Sequence, residues 1–197
     1  FPLTAQTAYS MLIRRAKIQP GETVFVWGAG SGVGIMAIEI AKVKGCQIIT
    51  TGGSEEKRTH AKSIGADLVL DHYNDNVVDQ VKEFTAGKGV DVVFEHVGEA
   101  TWETSMKILG KGGRLVTCGA TTGPKVNIDV RHLFIKQQTF MGSTMGDLAA
   151  FDDCLSLVAD GKIKPVIDRS FPFSAIRDAH DHLENGNQIG KVILLPE

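Results

Sequence analysis

Short apolar runs rich in β-branched residues alternate along this chain with longer stretches whose apolar residues recur at helical spacing. Leu3, Ala8, Met11, Leu12 and Ala16 form a first helical stripe, halted at Pro20-Gly21. The run Thr23-Val24-Phe25-Val26-Trp27 reads as a strand. Ile35, Ile38, Ala41 and Val43 then place a buried face on a helix that ends at Lys44-Gly45. The alternation continues with strands over 47–51, 68–70, 90–95, 113–117 and 139–143. Helices are expected near 55–64, 76–84, 101–109 and 147–160, with one or two helical turns at 129–135. Ser54 precedes Glu55 and Glu56, an N-cap followed by acids where the helix dipole favours them. Strands that alternate with helices at this spacing mean βαβ units with right-handed crossovers. The fold class expected is α/β, a doubly wound parallel six-stranded sheet, with the ligand crevice outside the C-terminal ends of its strands. The tail offers a strand at 164–168, a helix at 174–185 and a strand at 190–195, with no sheet partner assigned.

The first strand runs into Gly28-Ala29-Gly30-Ser31-Gly32-Val33-Gly34, with glycine at every second position and a helix following at once. Gly28 would let the chain reverse, Gly32 would leave no side chain between backbone and ligand, and Gly34 would let the helix press on its strand. With the free N–H groups and positive end of the helix dipole, this turn is suited to a pyrophosphate. The spacing is G-x-x-x-G-x-G, not G-x-G-x-x-G, and a glycine-rich turn of some other α/β protein is the competing reading. No G-K-[ST] follows, so a P-loop does not fit.

Composition narrows the class without selecting a chemistry. With 197 residues, 43% hydrophobic and 22% charged, the chain can build a substantial core, and a net charge of -2 gives no pull toward nucleic acid. No apolar run approaches the roughly 18 residues of a membrane span, and no cationic, apolar leader opens the sequence, so a soluble cytoplasmic protein is expected. The three cysteines, Cys46, Cys118 and Cys154, lie far apart and fit reduced thiols better than a disulfide frame.

An acid at the end of the second strand would select NAD over NADP by accepting a bond from the adenosine 2′-hydroxyl. Here that strand ends in Thr51-Gly52-Gly53-Ser54, and Lys57 and Arg58 follow one turn into the helix. A 2′-phosphate would meet a hydroxyl, a helix start and one or two cations, which favours NADP; a solvated cationic helix face is the alternative.

The residues resemble the medium-chain dehydrogenase/reductases, in particular the branch of quinone oxidoreductases and bacterial zinc-type alcohol dehydrogenases. The resemblance rests on the glycine turn and its Ala-Ile-x-Ile-Ala-Lys helix, on Gly53-Ser54-Glu55-Glu56-Lys57, and on Ile64-Gly65-Ala66-Asp67. It continues through Gly112-Gly113-Arg114-Leu115-Val116-Thr117-Cys118-Gly119-Ala120, Leu133-Phe134 before Gly142-Ser143-Thr144, and the tail Gly190-Lys191-Val192-Ile193-Leu194. It implies a coenzyme-binding domain over 1–167 and a return segment over 168–197 that packs on an N-terminal GroES-like catalytic domain not in this sequence. Any catalytic zinc would belong to that domain.

By resemblance, Gly28, Gly30, Ser31, Gly32, Val33 and Gly34 hold the pyrophosphate, and Gly53, Ser54 and Lys57 the 2′-phosphate end. His72 stands near the adenine where relatives often have tyrosine. Val97, Gly98, Cys118, Gly119, Ala120, Gly142 and Ser143 line the nicotinamide side, mostly through their backbone. A homodimer through the sixth strands and a small-molecule substrate are implied as well.

His96, at the rim of the expected crevice, is weighed as a proton relay against a hydrogen-bonded structural histidine, and the second is favoured. His180 and His182 fall on different helix faces and make no zinc pair. Cys118 has no adjacent cation and reads as packing. A short-chain dehydrogenase fails for want of Tyr-x-x-x-Lys, since four residues after Tyr9 and Tyr73 come Ile13 and Val77. The function expected is the coenzyme-binding part of an NADP(H)-dependent oxidoreductase, itself without catalytic residues, acting on a carbonyl, alcohol, quinone or enone. The alternative is a non-catalytic NADPH-binding sensor or structural module.

Overall fold

The computed structural model describes residues 1–196. Helix α1 (Pro2–Tyr9) widens at its end into π turns over Ser10–Arg15 and leads into β1 (Thr23–Val26). There follow α2 (Gly32–Val43), β2 (Gln47–Thr51), α3 (Glu55–Ser63), β3 (Leu68–Leu70), α4 (Val77–Phe84), β4 (Val90–Glu95) and α5 (Glu99–Ile108). The chain continues through β5 (Leu109–Thr117), α6 (Val130–Ile135), β6 (Thr139–Gly142) and α7 (Leu148–Ala159), and closes with β7 (Ile167–Pro172), α8 (Ile176–Glu184) and β8 (Lys191–Leu195). Strands β1 to β6 form one sheet in the order β3-β2-β1-β4-β5-β6, all parallel, so the expected doubly wound sheet is present. The strand order reverses between β1 and β4, and the crevice opens there.

Successive strand residues feed two cores, one on each face of the sheet. Val24, Val26, Ile48, Val92 and Phe94 pack toward α1 and α2, while Phe25, Trp27, Ile49 and Val93 pack toward the opposite face with Val81 and Ile108. Burial on both sides is why these strands read as continuous apolar runs and not as alternating patterns. Two aspartates pin the strand starts: the Thr23 N–H donates to Asp91 Oδ2 at 2.8 Å, and the Ile48 N–H to Asp67 Oδ2 at 2.7 Å. Asp67→Ala orphans the Ile48 N–H, and urea denaturation should show a loss of about 1 kcal/mol; an unchanged midpoint would refute the pin.

Two boundaries differ from those expected. β5 begins at Leu109, not Gly113, because α5 passes into the strand without a loop, and Lys136 Nζ and Gln138 Nε2 each donate to the Leu109 carbonyl at 3.0 Å. The first tail strand starts at Ile167, not at residue 164. The unassigned tail strands pair with each other: β7 and β8 form a separate parallel two-stranded sheet, connected through α8. This unit returns over the glycine turn, where the Gly190 N–H donates to the Gly30 carbonyl at 2.9 Å. No helix among the described residues is long and apolar enough to cross a membrane.

Candidate dinucleotide site

The glycine turn is shaped by its own contacts. Gly28 has φ +67, a left-handed conformation that lets the chain reverse after β1. Ser31 caps α2: its Oγ accepts from the Gly34 N–H and donates to the Gly28 carbonyl, both at 2.9 Å. A Cβ at Gly34 would strike the Gly28 carbonyl oxygen, so this glycine sets how closely α2 approaches β1. The first N–H groups of α2, at Gly32 and Val33, have no partner within the helix. Two lysine side chains lie against the same turn. A Cβ at Gly30 would sit 2.8 Å from Lys57 Cδ, and one at Gly32 2.8 Å from Lys191 Cδ. Glycine, a helix start and two cationic chains thus converge on one place.

At the end of β2 the structure separates two neighbouring cations of which the family resemblance singles out Lys57. Ser54 caps α3, accepting from the Lys57 N–H at 3.3 Å. Arg58 is held at three points and its charge is met by two carboxylates: it donates to the Gly52 carbonyl at 3.1 Å, to Asp71 Oδ2 at 2.7 Å and to Glu55 Oε2 at 2.9 Å. Bonds from the Asn74 side chain and the Tyr73 N–H, together with the Arg58 charge, hold the Asp71 carboxyl below its ordinary range. Lys57 Nζ donates to the Gly186 carbonyl of the tail and keeps two further protons to donate. His72 and Tyr73 pack ring against ring at a tilt of 59°, with centroids 4.3 Å apart, and both lie over Gly53, where a Cβ would meet Tyr73 at 2.7 Å and His72 at 3.1 Å. Burial pushes the His72 pKa down, against the opposing Asp71 charge and with the smaller help of Lys57 and Arg58; its buried Nδ1 has no partner among the described residues.

Across the crevice, Gly98 takes φ +95 to turn β4 into α5, and Val97 lies beside it. His96 Nε2 is 2.9 Å from the Trp27 carbonyl, which only accepts, so that nitrogen carries a proton and the ring is tied to backbone. A cleft of about 570 Å³ opens between these walls, lined by Trp27, Gly28, His72, Tyr73, Val97 and Thr101 among others. It also takes in Thr51, Ala100, Thr104 and Thr122, which sequence reasoning did not single out. Lys191 belongs to the tail motif, and its place over the glycine turn is a through-space contact without local signal.

Cys118, Gly119 and Ala120 follow β5 behind the cleft wall, where a Cβ at Gly119 would meet the His96 carbonyl at 2.7 Å. Gly142 and Ser143 are not brought into the cleft; with Ser10, Arg14, Arg15 and Met145 they line a separate groove. Burial, and for Cys118 also Glu95, raises the Cys118 thiol to about 11, and burial raises Cys46 and Cys154 to about 11. At pH 8 the thiolate fraction is then about a hundredfold below that of a pKa near 9. Iodoacetamide should modify the native protein at least about tenfold more slowly than the urea-unfolded chain; equal rates would contradict the burial. His182 Nε2 pairs with Asp168 Oδ2 at 2.6 Å, and among the described residues no group of three or more His, Cys, Asp or Glu is placed to hold a metal ion.

A doubly wound parallel sheet with a glycine turn at its switch point is the architecture of a dinucleotide-binding domain. Residues 32–160 match the family model described as zinc-binding dehydrogenase, and the chain belongs to that family. It is the C-terminal coenzyme-binding domain of the medium-chain dehydrogenase/reductases. The chain is 31% identical to a human quinone oxidoreductase over 96% of its length and 59% of that protein, and 34% identical to an NAD-dependent alcohol dehydrogenase of Sulfurisphaera tokodaii over 99% and 57%. Among solved structures, an NAD-dependent alcohol dehydrogenase superposes with TM-score 0.93 at 37% identity, over 98% of this chain and 57% of that one. A 2-octenoyl-CoA carboxylase reductase in complex with NADP and 2-octenoyl-CoA superposes at 0.91 with 28% identity, over 100% and 48%. The chain therefore spans about half the length of the proteins it resembles.

Proposed function

We infer that this chain is the coenzyme-binding part of an NADP(H)-dependent oxidoreductase acting on a carbonyl, alcohol, quinone or enone. The observation that carries this reading is the convergence of Lys57 and Lys191 on the glycine turn at the start of α2, beside an open cleft. Gly30 and Gly32 suit the approach of a pyrophosphate because flexible lysine methylenes are what opposes it first there, with the Thr4 methyl behind Lys191 at Gly32. The unpartnered His72 Nδ1 and the tilted His72-Tyr73 ring pair suit an adenine ring. The Ser54 hydroxyl and Lys57 offer donors for a 2′-phosphate, and between the end of β2 and the start of α3 the chain carries no acid to take its place. The nicotinamide would supply the hydride. The chain's own residues bind the two phosphate-bearing ends, orient the ring toward Val97 and Gly98, and exclude water from the wall at Trp27.

The same reading divides the chain at residue 167. Residues 168–197 then form the return segment toward a catalytic domain elsewhere in the parent protein, which would hold any zinc. The exposed apolar residues Ile167, Phe173, Ile176 and Leu183 support such a contact. β6 is an edge strand with Thr139 and Gly142 exposed, which supports a homodimer formed by edge-to-edge pairing; a cytoplasmic location is part of the same reading.

Titration with NADPH and, separately, NADH tests the assignment, following energy transfer from Trp27 in a Trp102→Phe background. The expected result is saturable NADPH binding with NADH at least about tenfold weaker. Binding of neither would overturn the reading. Binding without turnover by the parent protein would support a sensor or structural module instead.

A further inference from the structure

The most fully hydrogen-bonded side chain at the crevice belongs to a residue outside the set assigned above. Glu95, the last residue of β4, is fully buried, with no cation paired to it among the described ion pairs. Its Oε1 accepts from the Val97 N–H at 2.7 Å and the Gly98 N–H at 3.2 Å. Thr101 Oγ1 lies 3.0 Å from Oε1 and 2.9 Å from Oε2, and Ser105 Oγ lies 2.8 Å from Oε2. Trp27 Nε1 in turn is 2.8 Å from Ser105 Oγ. An indole nitrogen only donates, so the Ser105 oxygen accepts from Trp27 and its single proton goes to Glu95. The chain of bonds therefore runs one way, from Trp27 through Ser105 into the carboxylate, and its backbone partners, the Val97 and Gly98 N–H groups, can only donate.

We propose that Glu95 is a positioning residue for coenzyme binding: its carboxylate joins the two walls of the crevice across the point where the strand order reverses. Trp27 follows β1, whereas Val97, Gly98 and Thr101 belong to the turn after β4 and the start of α5. Trp27, Val97 and Thr101 all line the cleft. Gly98 stands at the N-cap of α5 and has no side chain to cap with; Thr122 Oγ1 takes the Ala100 N–H at 3.0 Å, while the Glu95 carboxylate holds the Gly98 N–H that precedes the helix and the Thr101 hydroxyl in its first turn. One buried anion thus fixes both the left-handed turn at Gly98 and the indole that walls the opposite side. The proposal rests on the coenzyme reading above.

The test uses protein with 15N-labelled tryptophan. Glu95→Gln replaces one acceptor oxygen by a donor, and Ser105→Ala removes only the link to Trp27; Glu103→Gln, on the exposed side of α5, serves as control. The indole resonance of Trp27, assigned with Trp102→Phe, should move upfield and exchange faster with solvent in the first two variants. NADPH affinity should fall at least tenfold in Glu95→Gln and at least threefold in Ser105→Ala while both remain folded, with the control unchanged. If Glu95→Gln fails to fold, Ser105→Ala decides on the same measure. Folded variants that bind NADPH within twofold of the parent would overturn the proposal and leave Glu95 a stabiliser of the fold. Failure of the unaltered protein to bind either dinucleotide would instead defeat the coenzyme reading, and the positioning role with it.

Discussion

Gly34→Val is expected to lower stability by about 3 kcal/mol and to abolish dinucleotide binding. A Cβ at this position runs into the backbone oxygen of Gly28 and lies 2.8 Å from Ser31 Oγ, the atom that caps α2. Neither neighbour can yield cheaply: the carbonyl is part of the turn, and moving the serine uncaps the helix. Overpacking of this kind typically costs 1–3 kcal/mol, and a β-branched side chain against main chain belongs at the upper end. With a urea slope of about 2 kcal/mol/M, the midpoint should fall by about 1.5 M. Gly32→Ala supplies the contrast, since its Cβ meets Lys191 Cδ and only the methyl of Thr4 beyond it. That variant should keep its midpoint within about 0.5 M yet bind NADPH several-fold more weakly, because the methyl stands where a phosphate would approach. Equal stability losses in the two variants would refute the division of labour drawn here.

Lys57→Ala should weaken NADPH binding by about ten- to a hundredfold and leave NADH binding within about threefold, erasing the preference between them. A bond to a charged group is worth about 1.5–3 kcal/mol, which corresponds to that range. The prediction falls on Lys57 alone because the Arg58 charge is already paired with Glu55 and Asp71 and its side chain is held to the Gly52 carbonyl. Arg58→Ala should therefore act through the β2–α3 turn, weakening both dinucleotides together and lowering stability. Parallel titrations of the two variants with both nucleotides check this; selective loss of NADPH in Arg58→Ala would reverse the assignment.

Much of the fold could be read from the chain because its signals are local. Ser54 and Asp147 are followed by helices that each caps through its own oxygen, and the glycine turn needs no distant contact to be recognised. The paired apolar runs of β1, β2 and β4 are legible for a related reason, since burial on both faces leaves few polar interruptions. What stayed hidden depends on partners far along the chain. Apart from the family resemblance, Lys57 and Arg58 look alike until Asp71, from the end of β3, engages one of them. Glu95 draws no notice beside His96 because its role is defined by Trp27 and Ser105, on other elements. The early start of β5 is equally non-local, resting on Lys136 and Gln138, which lie beyond the strand itself.

The tail that crosses the glycine turn has a consequence for the order in which the protein assembles. Lys57 and Gly186, which meet there, are 129 residues apart in sequence, and the Gly30 carbonyl waits for a residue still closer to the end of the chain. A contact closed over that length forms late relative to nearer ones, so docking of the tail onto an already formed six-stranded sheet is the expected order. During synthesis the turn leaves the ribosome well before the tail that covers it. A nascent chain halted before residue 186 would therefore hold a complete sheet with its phosphate-sized turn uncovered.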